Sequence, residues 1–355
     1  MILSRSSRLI SIVIKASIIR KQLTDQILKF WYCLKFFRFW MQYNSIKIRR
    51  FKIKLLRYVP KKVEVEIVGG IGNQLFIFFA AYSHSIHFSK ELVLDFSEIP
   101  SAKSQHISNI DSFEFTRGFH VLTTHKKNKI KKIIEAICRR NRLLRSALFK
   151  LTGIFYPKGL GYDSSLYRYR NIRRICGYYQ SYKYLEDLTN QNKILDLSLR
   201  QKSEWFNELL IEISVKQIIV VHVRRKDYHS ARDTIGLLSR EYYETAIFYL
   251  ETVLPHSDIW VFSDDINEAK DLLDGISSKK ISWMEPPNNS DPAESLILMS
   301  YGEGIVLANS SFSWWAAATG KVAKKVVAPS PWFRNLEEPE LLIPNNWYLV
   351  QSHWQ

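Results

Sequence analysis

From Val63 onward the chain alternates short β-branched runs with helix-patterned stretches, the pattern of an α/β architecture built on parallel strands. The runs are Val63 to Val68, Leu92 to Leu94, Gln217 to Val223, Asp258 to Phe262, Ile305 to Leu307 and Val326 to Val327. The residues just past four of these runs constrain function: GGIGNQ after the first, RRKDY after the third, SDD after the fourth and NSSFSWW after the fifth. In an open α/β sheet, ligands sit outside the carboxyl ends of the strands. The chemically unusual residues therefore fall where a ligand would be.

A chain of 355 residues, 46% hydrophobic and 24% charged, is long enough for two core-forming domains. Strand spacing divides them into residues 63–205 and 206–355. The formal charge of +17 is concentrated elsewhere: residues 1–62 hold sixteen Lys or Arg and one acid, Asp25, which leaves +2 for the rest. That extension interleaves its charges with Ile, Phe, Tyr and Trp, and no run approaches the ~18 apolar residues a membrane span requires. It reads as a basic amphipathic segment lying in the membrane interface, with rings among headgroups and cations on anionic lipid. A solvated tail, a helix packed on the protein's own surface and an RNA-binding arm are the alternatives. No nucleic-acid module accompanies it, and no nucleic-acid partner is expected. A second basic amphipathic helix is expected over 125–150, where ten Lys or Arg accompany Glu135. It docks on the first domain or makes a further membrane or acceptor contact. Cys33, Cys138 and Cys176 are odd in number and widely spaced, which implies a reducing compartment and no structural metal.

Gly69, Gly70 and Gly72 let the backbone turn tightly at a strand end, and Asn73 and Gln74 supply neutral amide donors at its mouth. The pattern is neither the dinucleotide fingerprint nor a Walker A loop, and an ordinary βα turn is its plainer reading. Arg224 and Arg225 are costly to hold near a core unless an anion offsets them. A guanidinium presents a planar fork that matches phosphate oxygens, so a diphosphate is the natural partner. Asp227 or Asp233 is expected to neutralise one of the two arginines. His222, on the same face as Arg224, is either a buried hydrogen-bonded histidine or a ligand contact. Asp264 and Asp265 suit a ribose contact or a helix N-cap. Ser311 and Ser313 open a helix whose N-terminus could receive an anion, or serve as simple caps, while Trp314 and Trp315 pack against neighbouring elements.

Five motifs in a fixed order, GGIGNQLF at 69–76, GYYQSYKY at 177–184, HVRRKDY at 222–228, FSDD at 262–265 and NSSFSWWAA at 309–317, resemble glycosyltransferase family 11 in its bacterial α-1,2-fucosyltransferase branch. The resemblance implies a GT-B-like fold, two Rossmann-type domains facing a cleft, with GDP-fucose held mainly by the second and a glycan or lipid-linked oligosaccharide acceptor on the first. It implies inverting transfer of L-fucose to a hydroxyl, galactose 2-OH above all, with no cofactor and no obligatory metal. Carried onto this sequence, Arg224 stabilises the leaving GDP, and Arg225 and Asp227 shape its site. His222 touches the nucleotide, Asn73 sits across the cleft near the phosphate and acceptor, and Ser311 and Ser313 reach phosphate oxygens. By its chemistry Asp264 takes a structural or a ribose role, and a carboxylate within reach of the acceptor hydroxyl, Asp227 or Asp233, is the candidate general base. The enzyme is expected in the cytoplasm or peripherally on the cytoplasmic face of the membrane. The alternatives are another linkage or acceptor, another donor sugar, or a basic membrane- or nucleic-acid-binding protein. Residues 77–79, IFF, depart from the family's usual tyrosine and glutamine, a change expected to concern packing.

Overall fold

All six runs expected to be strands are strands, and five more join them to form two wholly parallel sheets. The computed structural model describes residues 59–97, 99, 110–122, 145, 149–192, 196–319 and 324–355. Almost all of the basic extension and of the helix expected over 125–150 lie outside the described residues, as do Cys33 and Cys138; Cys176 is buried. No helix among the described residues is long and apolar enough to cross a membrane.

The first sheet runs β3-β2-β1-β5-β4, with β1 Lys62–Glu66, β2 Glu91–Asp95, β3 His120–Leu122, β4 Ile154–Phe155 and β5 Arg174–Ile175. The second comprises β6 Ile218–Val223, β7 Asp258–Ser263, β8 Ile281–Met284, β9 Gly304–Val306, β10 Lys325–Ser330 and β11 Tyr348–Gln351. Across the sheet its order is β8-β7-β6-β9-β10-β11. Relative to the first strand this is the 3-2-1-4-5-6 order of a Rossmann-type sheet, and it reverses between β6 and β9. The first sheet reverses between β1 and β5. The two-residue strands β4 and β5 and the half-exposed β8 carry too little apolar pattern to stand out in the sequence.

Helix α1, Ile71–His87, leaves β1 through Gly69, whose φ of +79° places it in the left-handed region that favours glycine. It has no side-chain cap and is apolar around most of its circumference, the pattern of a helix buried on several sides. Phe76, Ile77, Phe78 and Phe79 are all at most 2% exposed. The IFF departure is thus a packing feature.

The buried partner of α1 comes from the other sheet. Helix α8, Ser311–Ala318, comes after β9, and its Trp314 and Trp315 rings lie 4.5 and 5.1 Å from that of Phe76. A Cβ on Gly72 would fall 2.5 Å from the carbonyl carbon of Ser311 and 2.7 Å from the amide of Phe312. Both helices begin at the carboxyl ends of their strands. Their N-terminal turns therefore touch because the carboxyl edges of the two sheets face each other, as expected for a GT-B-like fold. The chain passes between the two layers of packing after α2, Lys183–Thr189, which lies on α1, and before α3, Glu204–Val215, which lies on α7, Pro292–Met299. A return segment ties the halves again, where the carbonyl of Leu341 accepts from Ser181 Oγ at 2.7 Å and from the Tyr182 amide at 3.0 Å.

Candidate active site

Strand β6, IIVVHV, is buried at every position, so its first solvent-facing chemistry is delivered at its carboxyl end. Arg224 sits there, beside the reversal between β6 and β9. Its Nε donates to Asp227 Oδ1 at 2.9 Å and lies 3.2 Å from Asp264 Oδ2, and its Nη2 lies 2.8 Å from Asp227 Oδ1. The guanidinium is 5.6 Å from the Tyr228 ring centre and about a third exposed. Two carboxylates and one aromatic ring thus hold the fork in place. Its Nη1 makes no hydrogen bond to any described residue.

Asp227 pairs with the partly exposed Arg224, and Arg225 serves the scaffold. Arg225 is 1% exposed. Its Nη1 donates to Gln355 Oε1 at 3.1 Å and its Nε faces Glu268 Oε1 at 3.5 Å. Its backbone amide donates to Asp264 Oδ1 at 2.8 Å, so Asp264 ties the end of β7 to the end of β6 while also facing Arg224. Burial raises the Asp264 carboxyl above its usual range, partly opposed by the Arg224 charge. Asp265 caps helix α6, Ile266–Leu273, accepting from the Glu268 amide at 3.0 Å. The SDD motif is accordingly a brace and a cap.

His222 is 3% exposed, its ring 5.5 Å from that of Phe312. Burial, with the Arg224 charge, lowers its pKa to about 3, so the ring is neutral at any working pH. Tyr228 links two motifs by donating to the carbonyl of Asn309 at 3.0 Å. Asn309 in turn donates from Nδ2 to the carbonyls of Ile235 and Gly236 at 3.1 and 3.2 Å. Ser310, rather than Ser311 or Ser313, caps α8 through the Phe312 amide. Ser311 is half-buried at the contact with Gly72, and its hydroxyl makes no hydrogen bond to the described residues. Ser313 is fully buried and donates to the carbonyls of Ala308 and Ser310, directed into the helix start rather than the crevice. Asp233 lies in the turn after α4, Lys226–Ser230, exposed and forming no ion pair with Arg224; its carbonyl accepts from Asn335.

Across the junction, Asn73 is half-buried and its Oδ1 accepts from Gln180 Nε2 at 2.7 Å. Gln74, expected at the mouth, lies beneath the turn with no exposure. Its Nε2 donates to the Gly69 carbonyl at 2.7 Å and its Oε1 accepts from the Ile110 amide at 2.9 Å. The helical turn sends adjacent side chains about 100° apart, so only one of the pair can face the crevice. Gln180 and Tyr228 carry no role by sequence pattern, although both stand inside motifs already singled out. Their partners are 107 and 81 residues away, a distance no local pattern reveals. Among the described residues no group of three or more His, Cys, Asp or Glu is placed to share a metal ion.

The second sheet's reversal thus carries a partly exposed guanidinium, and the half-buried Asn73 lies in the helix start whose Gly72 meets Ser311. Several known proteins resemble the chain. It is 28% identical to the O-antigen biosynthesis glycosyltransferase WbnK of Escherichia coli over 77% of this chain and 95% of that protein. It is 24% identical to an alpha-1,2-colitosyltransferase of Escherichia coli over 78% of this chain and 93% of that one. Among solved structures, a variant of Arabidopsis thaliana FUT1 in complex with GDP superposes with a TM-score of 0.48 at 12% identity, covering 83% of this chain and 79% of that one. The fucosyltransferase NodZ from Bradyrhizobium gives 0.44 at 14%, covering 73% and 93%. The Glycosyl transferase family 11 profile matches residues 160–341, just over half of the chain and four of its five motifs, and the protein belongs to that family.

Proposed function

We propose that this glycosyltransferase moves L-fucose from GDP-β-L-fucose, with inversion, to the 2-hydroxyl of a galactose in a glycan or lipid-linked oligosaccharide. The observation that carries the reading is Arg224, oriented by Asp227, Asp264 and Tyr228 at the β6/β9 reversal with Nη1 uncommitted among the described residues. Breaking the sugar–phosphate bond builds negative charge on GDP, and a preorganised guanidinium there acts most strongly in the transition state. Asp227 orients this group. Protonating it during the reaction would loosen Arg224, so the acceptor's proton is assigned to Asp233, the other candidate carboxylate. Asn73, fixed by Gln180, faces the reaction from the first sheet, and Ser311 at the start of α8 receives a phosphate oxygen. His222, being neutral, supplies shape and hydrogen bonding near the nucleotide rather than charge. Gln74, Arg225 and Ser313 position the turns that carry the others.

The α-1,2 linkage is supported by the name of one relative, the alpha-1,2-colitosyltransferase, and a role in surface polysaccharide assembly by that of the other. The colitosyl relative also supports a second reading, in which the donor carries colitose in place of fucose. Work at the cytoplasmic face of a membrane, with the basic extension on its lipid, fits such a precursor. The test is transfer from GDP-fucose and GDP-colitose, in the presence of chelator, to neutral galactose-terminated acceptors, with the product linkage read by NMR. Fucose on galactose O2 is expected. Transfer of neither sugar would overturn the proposal, and preference for colitose would move it to the second reading.

A further inference from the structure

The amino ends of the first sheet's strands, at the edge opposite the helix junction, gather positive charge. Lys61 precedes β1 and Lys62 opens it, Lys150 comes just before β4, and Arg168, Arg170 and Arg173 come just before β5. All six are exposed. Backbone pairing holds their segments together at one rim. The Glu91 amide donates to the Lys61 carbonyl, the Glu64 amide to the Arg173 carbonyl and the Arg173 amide to the Gly153 carbonyl, each at 2.9 Å. Lys90 Nζ donates to the Ile172 carbonyl at 2.7 Å, and burial, with the Arg170 charge, lowers its pKa to about 8. Glu91, which opens β2, is spanned by Lys62 at 2.8 Å and His120 at 3.2 Å.

The amino ends of the second sheet's strands mix the two signs instead. Lys216, Lys280 and Lys325 stand there with Asp258, which opens β7, and Glu303, which precedes β9, and Lys216 is paired with Glu212 at 2.7 Å. The basic rim of the first sheet also carries apolar surface: Leu151, next to Lys150, is 46% exposed, and Tyr169 is half-buried between Arg168 and Arg170 in the chain. The sequence enters this rim from the basic extension, whose residues 47–58 hold six Lys or Arg and no acid.

We propose that the amino edge of the first sheet is a lipid-docking face that seats the folded body on an anionic bilayer. Like charges gathered on one rim repel one another, and a layer of anionic headgroups offsets all of them at once; each Lys or Arg near such a surface adds about fivefold to affinity. Leu151 enters the apolar boundary beneath the headgroups. The inference rests on the reading of work at a membrane face and deepens it, because the folded body, and not the extension alone, meets the lipid. The carboxyl edge of the sheet then points away from the bilayer. A strand of five residues such as β1 spans about 17 Å, so the transfer site meets acceptor sugars that stand off from a lipid anchor by at least that much.

The test compares the full chain with Lys150→Gln/Arg168→Gln/Arg170→Gln and with Lys216→Gln/Lys280→Gln/Lys325→Gln, which removes the same charge from the amino end of the second sheet. Binding is measured by co-sedimentation with vesicles of phosphatidylglycerol in phosphatidylcholine and of phosphatidylcholine alone, and amide hydrogen exchange is followed with and without each. The native chain is expected to bind the anionic vesicles, with exchange slowed at residues 150–153 and 168–173. The first variant should bind at least about tenfold more weakly and the second within about threefold of native, both with native unfolding curves. Equal weakening by the two variants, affinity unchanged in the first, or protection limited to residues before 60 would each overturn the inference and leave the lipid to the extension. No binding of the native chain to anionic vesicles would sink the membrane reading as well. Protection of 150–153 and 168–173 by single-stranded RNA and not by vesicles would overturn the inference in favour of a nucleic-acid face.

Discussion

Gly72→Ala tests the junction on which the site depends, because two effects of opposite sign meet at one atom. Gly72 is the second residue of α1, and in an exposed helix interior the exchange of glycine for alanine stabilises by about 1 kcal/mol. Here the new methyl would lie 2.5 Å from the carbonyl carbon and oxygen of Ser311 and 2.7 Å from the Phe312 amide, distances no Cβ tolerates. The obstacle is backbone, so no side chain can swing aside; the N-termini of α1 and α8 must separate by about 1 Å, and overpacking of this kind costs ~1–3 kcal/mol. The tight interlock of Phe76 and Phe79 with Trp314 and Trp315 resists that separation. The net expectation is destabilisation of ~0–2 kcal/mol by urea unfolding, the difference between those two terms. Turnover should fall further than stability, since a displacement of about 1 Å near the chemistry can cost a hundredfold. Gly159→Ala, in open space, should change stability by less than about 0.5 kcal/mol. A Gly72→Ala chain as stable and as active as the native one would refute the close approach of the two helix starts.

Arg174 is buried among Glu64, Glu66 and Asp95, so Arg174→Met leaves carboxylates uncompensated in the core and should destabilise by ~3–5 kcal/mol in urea titrations. A loss under about 1 kcal/mol would show that water reaches the cluster. Burial pushes Asp95 upward, but its bonds from Ser97 and Arg174 prevail and hold the carboxyl below its ordinary 3.8; its stabilisation is complete above that pH and is lost as acid protonates it in the fold. His222 and His84 act in the neutral form. Burial keeps them unprotonated down to about 3 and about 4, whereas the unfolded rings take up protons near 6.5. Their contribution is full above 6.5 and falls with acidification, by about 2 kcal/mol for each ring between pH 8 and pH 5. His222→Gln should halve that slope, and an unchanged slope would contradict a buried neutral ring.

The sheets were legible in the sequence because buried parallel strands are continuous β-branched runs, as IIVVHV of β6 shows. Strands β4 and β5, with two residues each, escape such a pattern because pairing makes them strands, β5 on β1 and β4 on β5. Arg224 could be found because an arginine at a strand end is chemically conspicuous. Its environment could not, since Asp264 approaches from 40 residues away along the chain. The opposite fates of Asn73 and Gln74 are set by helix phase, and sequence alone did not show which side of α1 the second sheet covers. Nor did it show that NSSFSWW would cap α8 through Ser310 and bury Ser313. A crevice on the first sheet assembles Glu66, Arg145, Tyr156 and Tyr178 from four separate segments, and no motif announces it.

The central claim is that Arg224 carries the leaving-group charge without holding the fold together, and one comparison tests it most directly. GDP release from GDP-fucose, in the presence of acceptor and chelator, is measured for the native chain, Arg224→Lys and Arg224→Ala, alongside their unfolding curves. Loss of one preorganised donor typically costs on the order of a hundredfold in turnover, so Arg224→Ala should fall by that much. Arg224→Lys, keeping the charge but not the fork, should lie between the two, with stability nearly unchanged because the side chain is partly exposed. Turnover of Arg224→Ala within about threefold of native would contradict the account.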